Sequence, residues 1–480
     1  MTGTARSIAI VGAGFSGTLL AVQMLRRCRP DDCIYLIERR AGFGRGLAYS
    51  TLNENHLLNV RAGNMSAFFD QPDHFVTWLA KRANERGQPL PSADTFVSRR
   101  LYGTYIRSLL SDELWRNGHG RNLFLVPDQV IAINEEADAV MLTVAGGQCY
   151  RLDQVVLAAG NLVGGRCEGP YFGDAWRAEA VRGVPRHGEV LLIGTGLTMI
   201  DTVLSLLDAG HEGRLHAISR RGLLPRRHAP SRPLVFSADE MPKTTSVARI
   251  TRWLRRYVAA AKLDGRDWRD VFDGLRPHTL DMWRTLPMNE RQRFLRHLRP
   301  WWEVYRHRMA PAVGGRIDEA IARGQLVVSI GRIDNITLDE RVANVAIRRR
   351  DVDTVEHRTF ARVINCTGLH VDFQNCDDPL IRDLLARNLA RPDALSLGLE
   401  VNEKGALLNG GGRPSPRLFA VGPITRGTFW EIVAVPDIRV HCARLASYLM
   451  GSAQEVAPVG ITPRQRRWQR SMRAQHRLLG

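Results

Sequence analysis

An α/β fold with two doubly wound, parallel-sheet halves is what the 480-residue sequence predicts. Three observations carry it. An apolar strand, a glycine turn and a helix follow one another at residues 7–28, and the same order recurs at 189–210. In both places a second apolar strand comes next, as a parallel βαβ unit requires. Composition agrees, because 44% hydrophobic and 24% charged residues are ordinary for a globular chain and exclude global disorder, collagen and disulfide scaffolds.

In the first unit SIAIV (7–11) reads as a buried strand, and Gly12, Gly14 and Gly17 follow as GxGxxG. A helix, TLLAVQMLRRC, leads to the strand CIYLIE, which ends in Glu38, 21 residues after Gly17. Gly12 permits the tight turn, Gly14 lets backbone approach a pyrophosphate, and Gly17 lets helix pack close on strand. The helix start offers free N–H groups and partial positive charge to phosphates. Glu38 suits a ribose 2′-hydroxyl and repels a 2′-phosphate, so FAD or NAD fits this unit and NADP does not.

In the second unit EVLLI (189–193) precedes Gly194, Thr195 and Gly196, then LTMIDTVLSLLDAG as helix and RLHAIS as strand. Met199 stands where the third glycine would be. The strand ends in Arg220 and Arg221, guanidinium groups suited to a 2′-phosphate and hence to NADPH. Two Rossmann-like dinucleotide-binding domains with opposite ribose chemistry imply FAD in the first and NADPH in the second, with hydride passing from nicotinamide to flavin.

Elsewhere QVVLAAGN (154–161), RVINCTG (362–368, ending in Gly368) and LFAVGPITRG (418–427, with Gly422) are strands that turn sharply on small residues, as beside a nucleotide. A helix is expected to begin near Ile438 and run to Leu449. About 239–323 has helical spacing with five tryptophans and forms a helical insertion in the second domain. The domain reading is thus 1–165 for the first part of the FAD domain and 185–350 for the NADPH domain. The second part of the FAD domain takes 355–465, and a basic tail takes 466–480.

Net charge is +18, mostly from arginine, which favours anionic partners without requiring specific nucleic-acid binding. Seven scattered cysteines with no CxxC fit a reducing cytoplasm and argue against a redox dithiol or zinc ribbon. No apolar stretch reaches membrane-spanning length, and the N-terminus lacks the h-region of a signal peptide.

GAGFSG, GLAYSTLNENHLLNVRAGNMSAF, LLIGTGLTMID, INCTG and VGPITRGTFWEIVAVPDIR together resemble a bacterial FAD/NAD(P)-binding family related to the class B flavin-containing and N-hydroxylating monooxygenases. The resemblance covers nearly the whole chain. It implies that NADPH reduces FAD and that oxygen reacts at the flavin, through a C4a-peroxyflavin, to hydroxylate a small metabolite. It also matches Asn59 to an asparagine placed near flavin and nicotinamide, and makes His56 a candidate proton donor. Arg61 nearby favours a carboxylate-bearing substrate. PYFGDAWRAEA lacks the histidine of the Baeyer–Villiger linker motif, so ketone oxygenation is not expected. The alternatives are an NADPH-dependent flavin reductase or dehydrogenase without oxygenation, and a nucleotide-binding interaction protein.

Overall fold

The computed structural model describes residues 5–451 apart from 41, 117, 162–164, 351–353, 369–372 and 374–375, so the tail expected at 466–480 lies outside the described residues. The chain forms two compact units, 5–227 with 307–451, and His228–Arg306.

The first unit begins with β1 (Ser7–Val11), α1 (Phe15–Leu25) and β2 (Cys33–Ile37). Helices α2 (His74–Glu85) and α3 (Arg99–Ser111) precede β3 (Leu123–Val126). An antiparallel meander, β4 (Val130–Glu135), β5 (Val140–Val144) and β6 (Cys149–Leu152), then leads to β7 (Gln154–Leu157). β1 lies between β2 and β7, parallel to both, with Val11 level with Ile37 and Leu157. The chain therefore leaves β1 on one side and returns on the other, which opens a crevice at the strands' carboxyl ends. Buried on both faces, β1 carries no alternating polar residues.

The arrangement is then repeated. A short antiparallel pair, β8 (Cys167–Glu168) and β9 (Tyr171–Phe172), leads to β10 (Val190–Ile193), α4 (Leu197–Asp208) and β11 (Leu215–Ser219). After the second unit, with α5 (Val247–Leu263), α6 (Trp268–Leu275), α7 (Thr279–Thr285), α8 (Met288–Arg293) and α9 (Arg299–Arg306), the chain resumes. It continues as α10 (Pro311–Ala322), β12 (Leu326–Leu338), β13 (Ala343–Arg349), β14 (Val355–Phe360) and β15 (Arg362–Asn365). β10 lies between β11 and β15, with Ile193 level with Ile218 and Asn365, so a second switch point forms. Finally α11 (Pro379–Ala386), β16 (Ala406–Leu408), β17 (Pro414–Ala420) and α12 (Val435–Leu449) complete the first sheet, whose order is β16-β17-β7-β1-β2-β3.

Two boundaries differ from the sequence reading. The compact insertion runs from His228 to Arg306, not from 239 to 323. α10 belongs to the second sheet, where Val313, Ile317 and Ala320 share a core with Val190, Leu192 and Leu326. Helical periodicity reports an apolar face but not what that face packs against, so the sequence alone does not separate this crossover helix from the insertion. α12 begins at Val435, three residues before Ile438, because Pro436 is accommodated in a helix's first turn.

Candidate functional site

At the first turn, Gly12 has φ +104°, and a Cβ there would stand 2.6 Å from the carbonyl oxygen of Ala158, just past β7. A Cβ on Gly17 would stand 1.8 Å from the carbonyl oxygen of Gly12, so helix and turn touch through bare backbone. Gly14 caps α1 in extended conformation with no side-chain cap, and its Cα lies 2.8 Å from where a Cβ on Gly46 would be. Gly422 (φ +81°) presses on α1 from β17, since a Cβ there would fall 2.3 Å from Ser16 Oγ. The segments carrying Ala158 and Gly46 thus close on the α1 N-terminus through backbone, and Gly422 closes on the Ser16 side chain. Glu38 stands beside this turn. Its Oε2 accepts from the Ala13 N–H at 2.8 Å and its Oε1 from the Arg40 N–H at 3.1 Å. Each carboxylate oxygen has a second lone pair, so the group can still accept from ribose hydroxyls.

The second turn uses the same device. Gly194 has φ +109°, and a Cβ there would stand 2.7 Å from the carbonyl oxygen of Cys366, the residue after β15. A Cβ on Gly196, which caps α4, would meet nothing within 4 Å, so the space before this helix is open to a phosphate. Met199 is fully buried in the core of the second sheet, filling by side chain the contact a third glycine would make by backbone. Thr195 Oγ1 bonds Ser219 Oγ at 2.9 Å and the Leu223 carbonyl at 2.7 Å, tying this turn to the end of β11. Arg220 follows Ser219, exposed and without an ion-pair partner among the described residues, whereas Arg221 is half-buried with interactions of its own. Gly368 (φ +85°) is exposed three residues beyond β15, and 369–372 lie outside the described residues.

The segment carrying Asn59 is fastened to α4. His56 is 8% exposed and bonds on both sides of its ring. Nδ1 meets Thr51 Oγ1 at 2.9 Å, and Nε2 meets the Asp201 carbonyl at 3.0 Å and Ser205 Oγ at 2.8 Å. The Asn53 and Asn55 amides both donate to Asp208 Oδ2, at 2.8 and 3.0 Å, and Arg316 pairs with the other oxygen at 2.6 Å. Arg99 pairs with Asp201 at 2.8 Å, both largely buried. Asp201, Ser205 and Asp208 recur at i, i+4 and i+7, one face of the helix. Burial lowers the His56 pKa below the usual imidazole value, against the raising effect of Asp201. The Arg99–Asp201 pair joins residues 102 positions apart, and no local motif announces it.

Asn59 is half-buried and lies two residues past the Leu57–Ser98 bridge. Arg61 pairs at 3.1 Å with Asp94, whose side chain is 79% exposed. Phe15, Phe75, Tyr102 and Tyr105 are buried and form an aromatic cluster with the half-buried Tyr49. Tyr102 Oη donates to the Met65 carbonyl at 2.9 Å, and burial pushes the Tyr49 phenol up to about 12, so the cluster stays neutral. A surface cavity of ≈ 820 Å³ at the C-terminal end of α4, among Val184, Leu207, His211 and Arg316, includes none of the turn residues.

Residues 9–162 match the model of a family described as FAD-NAD(P)-binding. No curated protein matches the chain by sequence. Among solved structures, the chain is similar to the ornithine hydroxylase of Pseudomonas aeruginosa, with TM-score 0.62 and 14% identity over 94% of this chain and 100% of that one. It is also similar to the cadaverine monooxygenase of Erwinia amylovora, with TM-score 0.62 and 13% identity over 96% and 98%. The L-lysine 6-monooxygenase of Pseudomonas syringae gives TM-score 0.61 and 16% identity over 94% and 100%. The fold is that of the N-hydroxylating flavoprotein monooxygenases. At both turns the first glycine is closed by a carbonyl just past a returning strand, a bare backbone arrangement before a helix start that suits a dinucleotide.

Proposed function

We propose that the chain is an FAD- and NADPH-dependent monooxygenase that hydroxylates the nitrogen of a small amine or amino acid. The observation that supports it most is the pairing of two glycine turns, each closed by a carbonyl from a returning strand, in a chain similar over 94% of its length to an ornithine hydroxylase and an L-lysine 6-monooxygenase. The overall reaction is amine, oxygen, NADPH and a proton giving hydroxylamine, NADP and water. Bound FAD supplies the two-electron chemistry with oxygen.

The residues then divide the work. The α1 N-terminus with Gly12, Gly14 and Gly17 holds the FAD pyrophosphate, Glu38 its ribose, and Gly422 lets the β17 return close over the same helix start. Gly194 and Gly196 hold the NADPH pyrophosphate, Arg220 the 2′-phosphate, with Arg221 beside it and Gly368 at the opposite rim. Asn59 offers an amide donor and acceptor near the reacting centre. His56, with both nitrogens already bonded to protein, is a positioning group that holds the Asn59 segment on α4. Arg61 can receive a substrate carboxylate by giving up its exposed partner Asp94.

The test is product analysis. The purified holoenzyme is given NADPH, oxygen and a panel of diamines and basic amino acids. Hydroxylamine formed in step with NADPH oxidation supports the reading. NADPH oxidation that yields only hydrogen peroxide with every amine moves the assignment to a flavin reductase.

A further inference from the structure

The insertion His228–Arg306 has a core of its own, in which Leu234, Phe236, Tyr257, Ala261, Val271 and Leu275 are buried together. α5 supplies Tyr257 and Ala261 to it, with Trp253 packed on Phe236 and Tyr257 at ring-centroid distances of 5.5 and 4.7 Å. The apolar face of α5 is therefore fully used. Its opposite face consists of Ala248, Arg249, Arg252, Arg255, Arg256, Ala259, Lys262 and Leu263, all exposed. α5 contains five basic residues and no acidic one. None of those five cations has an ion-pair partner among the described residues.

Most acids of the insertion are committed elsewhere, and the exposed Asp264 that ends α5 is one acid without an ion pair among the described residues, against five such cations. Asp267 binds Arg269, Asp270 binds Arg266, Glu303 binds Arg299, and Glu290 is divided between Arg293 and the Val247 N–H at the start of α5. Unsatisfied positive charge is thus concentrated on one helix face, spanning about 20 Å from Arg249 to Lys262 at 1.5 Å per residue.

The layout of that face selects its partner. At 100° per residue, Ala248 and Ala259 lie along the middle of the exposed arc. Arg249, Arg252 and Arg256 flank them on one side, and Arg255 and Lys262 on the other. Small residues in the middle admit the backbone of a partner element, while two cationic rims reach carboxylates on both its edges. A lipid surface would need apolar side chains to insert, and this face offers Leu263 alone. We infer that the exposed face of α5 is a docking surface for an acidic amphipathic helix of another protein.

The test uses the full-length holoprotein and a fluorescein-labelled, stapled 18-residue helical peptide with glutamates at i, i+4 and i+7. The controls are an unstructured proline-containing peptide of equal charge, vesicles of phosphatidylcholine with 30% phosphatidylglycerol, and a 20-nucleotide single-stranded DNA. Fluorescence anisotropy of the helical peptide should show binding that weakens from 50 to 300 mM NaCl and is at least fivefold tighter than that of the unstructured peptide. The triple variant Arg252→Glu, Arg255→Glu, Arg256→Glu should weaken it at least tenfold while retaining the bound-flavin spectrum. Ala259→Trp, which keeps every charge, should also weaken the helical peptide while leaving the unstructured one unchanged. The inference is overturned if the two peptides bind equally, if either variant leaves helical-peptide binding intact, or if vesicles or DNA bind more tightly through the same three arginines.

Discussion

Gly14 and Gly196 are both glycines at a helix start, yet their surroundings differ. A Cβ on Gly14 would come 3.4 Å from Gly46 Cα, while one on Gly196 would meet nothing within 4 Å. Gly14→Val should therefore crowd both the chain and the FAD pyrophosphate proposed to lie there. The expected outcome is a folded but colourless protein, checked by absorbance at 450 nm and circular dichroism. At the second turn, Arg220 is the exposed guanidinium and Arg221 the occupied one. A charge-assisted hydrogen bond contributes about 1.5–3 kcal/mol, so Arg220→Ala should cut the preference for NADPH over NADH by about 10- to 150-fold. Steady-state kinetics with both cofactors would show it, with the NADH rate little changed. Equal loss with both cofactors would assign Arg220 to folding. For Asn59, loss of the amide should divert turnover rather than stop it. Asn59→Ala is expected to oxidise NADPH at a similar rate while releasing hydrogen peroxide in place of hydroxylated product, measured by peroxide assay. An unchanged ratio of product to NADPH would remove Asn59 from the chemistry.

Between elements, the segment 51–56 and Arg99 hold the polar face of α4 through His56, Asn53 and Asn55. The charged groups around His56 are Asp201, Arg99 and Asp208, and burial, with Arg99 on its side, outweighs the two carboxylates and lowers its pKa. The folded protein therefore resists protonating His56, while the unfolded chain takes the proton at the ordinary value near 6.5. This contribution to stability is complete above that pH and is lost as pH falls below it, towards the lowered value of the folded state. His56→Gln, which keeps polar atoms but does not titrate, should show a shallower fall in melting temperature between pH 7.5 and 5.5 than the parent. The slope should not vanish, because burial also lowers His74, His211 and His216. Equal slopes would mean that His56 does not titrate against folding. Both glycine turns were legible in the sequence because their strand, glycines and helix follow one another within a few residues, although the carbonyls that close them lie far along the chain. Asn53 with Asp208 and Arg99 with Asp201 were not, since they depend on how two lobes dock. The burial of Met199 in place of a glycine likewise shows only once the core around α4 is in view.

Across the whole chain, the insertion leaves and re-enters the first unit at one place. Arg227 and Met309 form a parallel bridge, and the Met309 N–H donates to the Arg226 carbonyl at 2.9 Å. The stretches of chain flanking the 79-residue insertion are thus already hydrogen-bonded to each other within the dinucleotide-binding unit. Closing so short a gap with a flexible linker costs little conformational entropy, because that cost grows only logarithmically with length. The helices of the insertion also carry their own apolar core, so removing them strips no side chain from the cores around β10. Replacing 229–306 by a three-glycine linker should accordingly leave a folded, yellow protein whose NADPH oxidation persists. Flavin content, thermal unfolding and NADPH consumption are the measurements. The same variant should lose the salt-sensitive binding of an acidic helical peptide, because every cation proposed for that contact lies on α5. A colourless product would show instead that the insertion helps to form the flavin-binding unit. A yellow product that still binds the peptide would place the anionic contact among the remaining arginines of the chain.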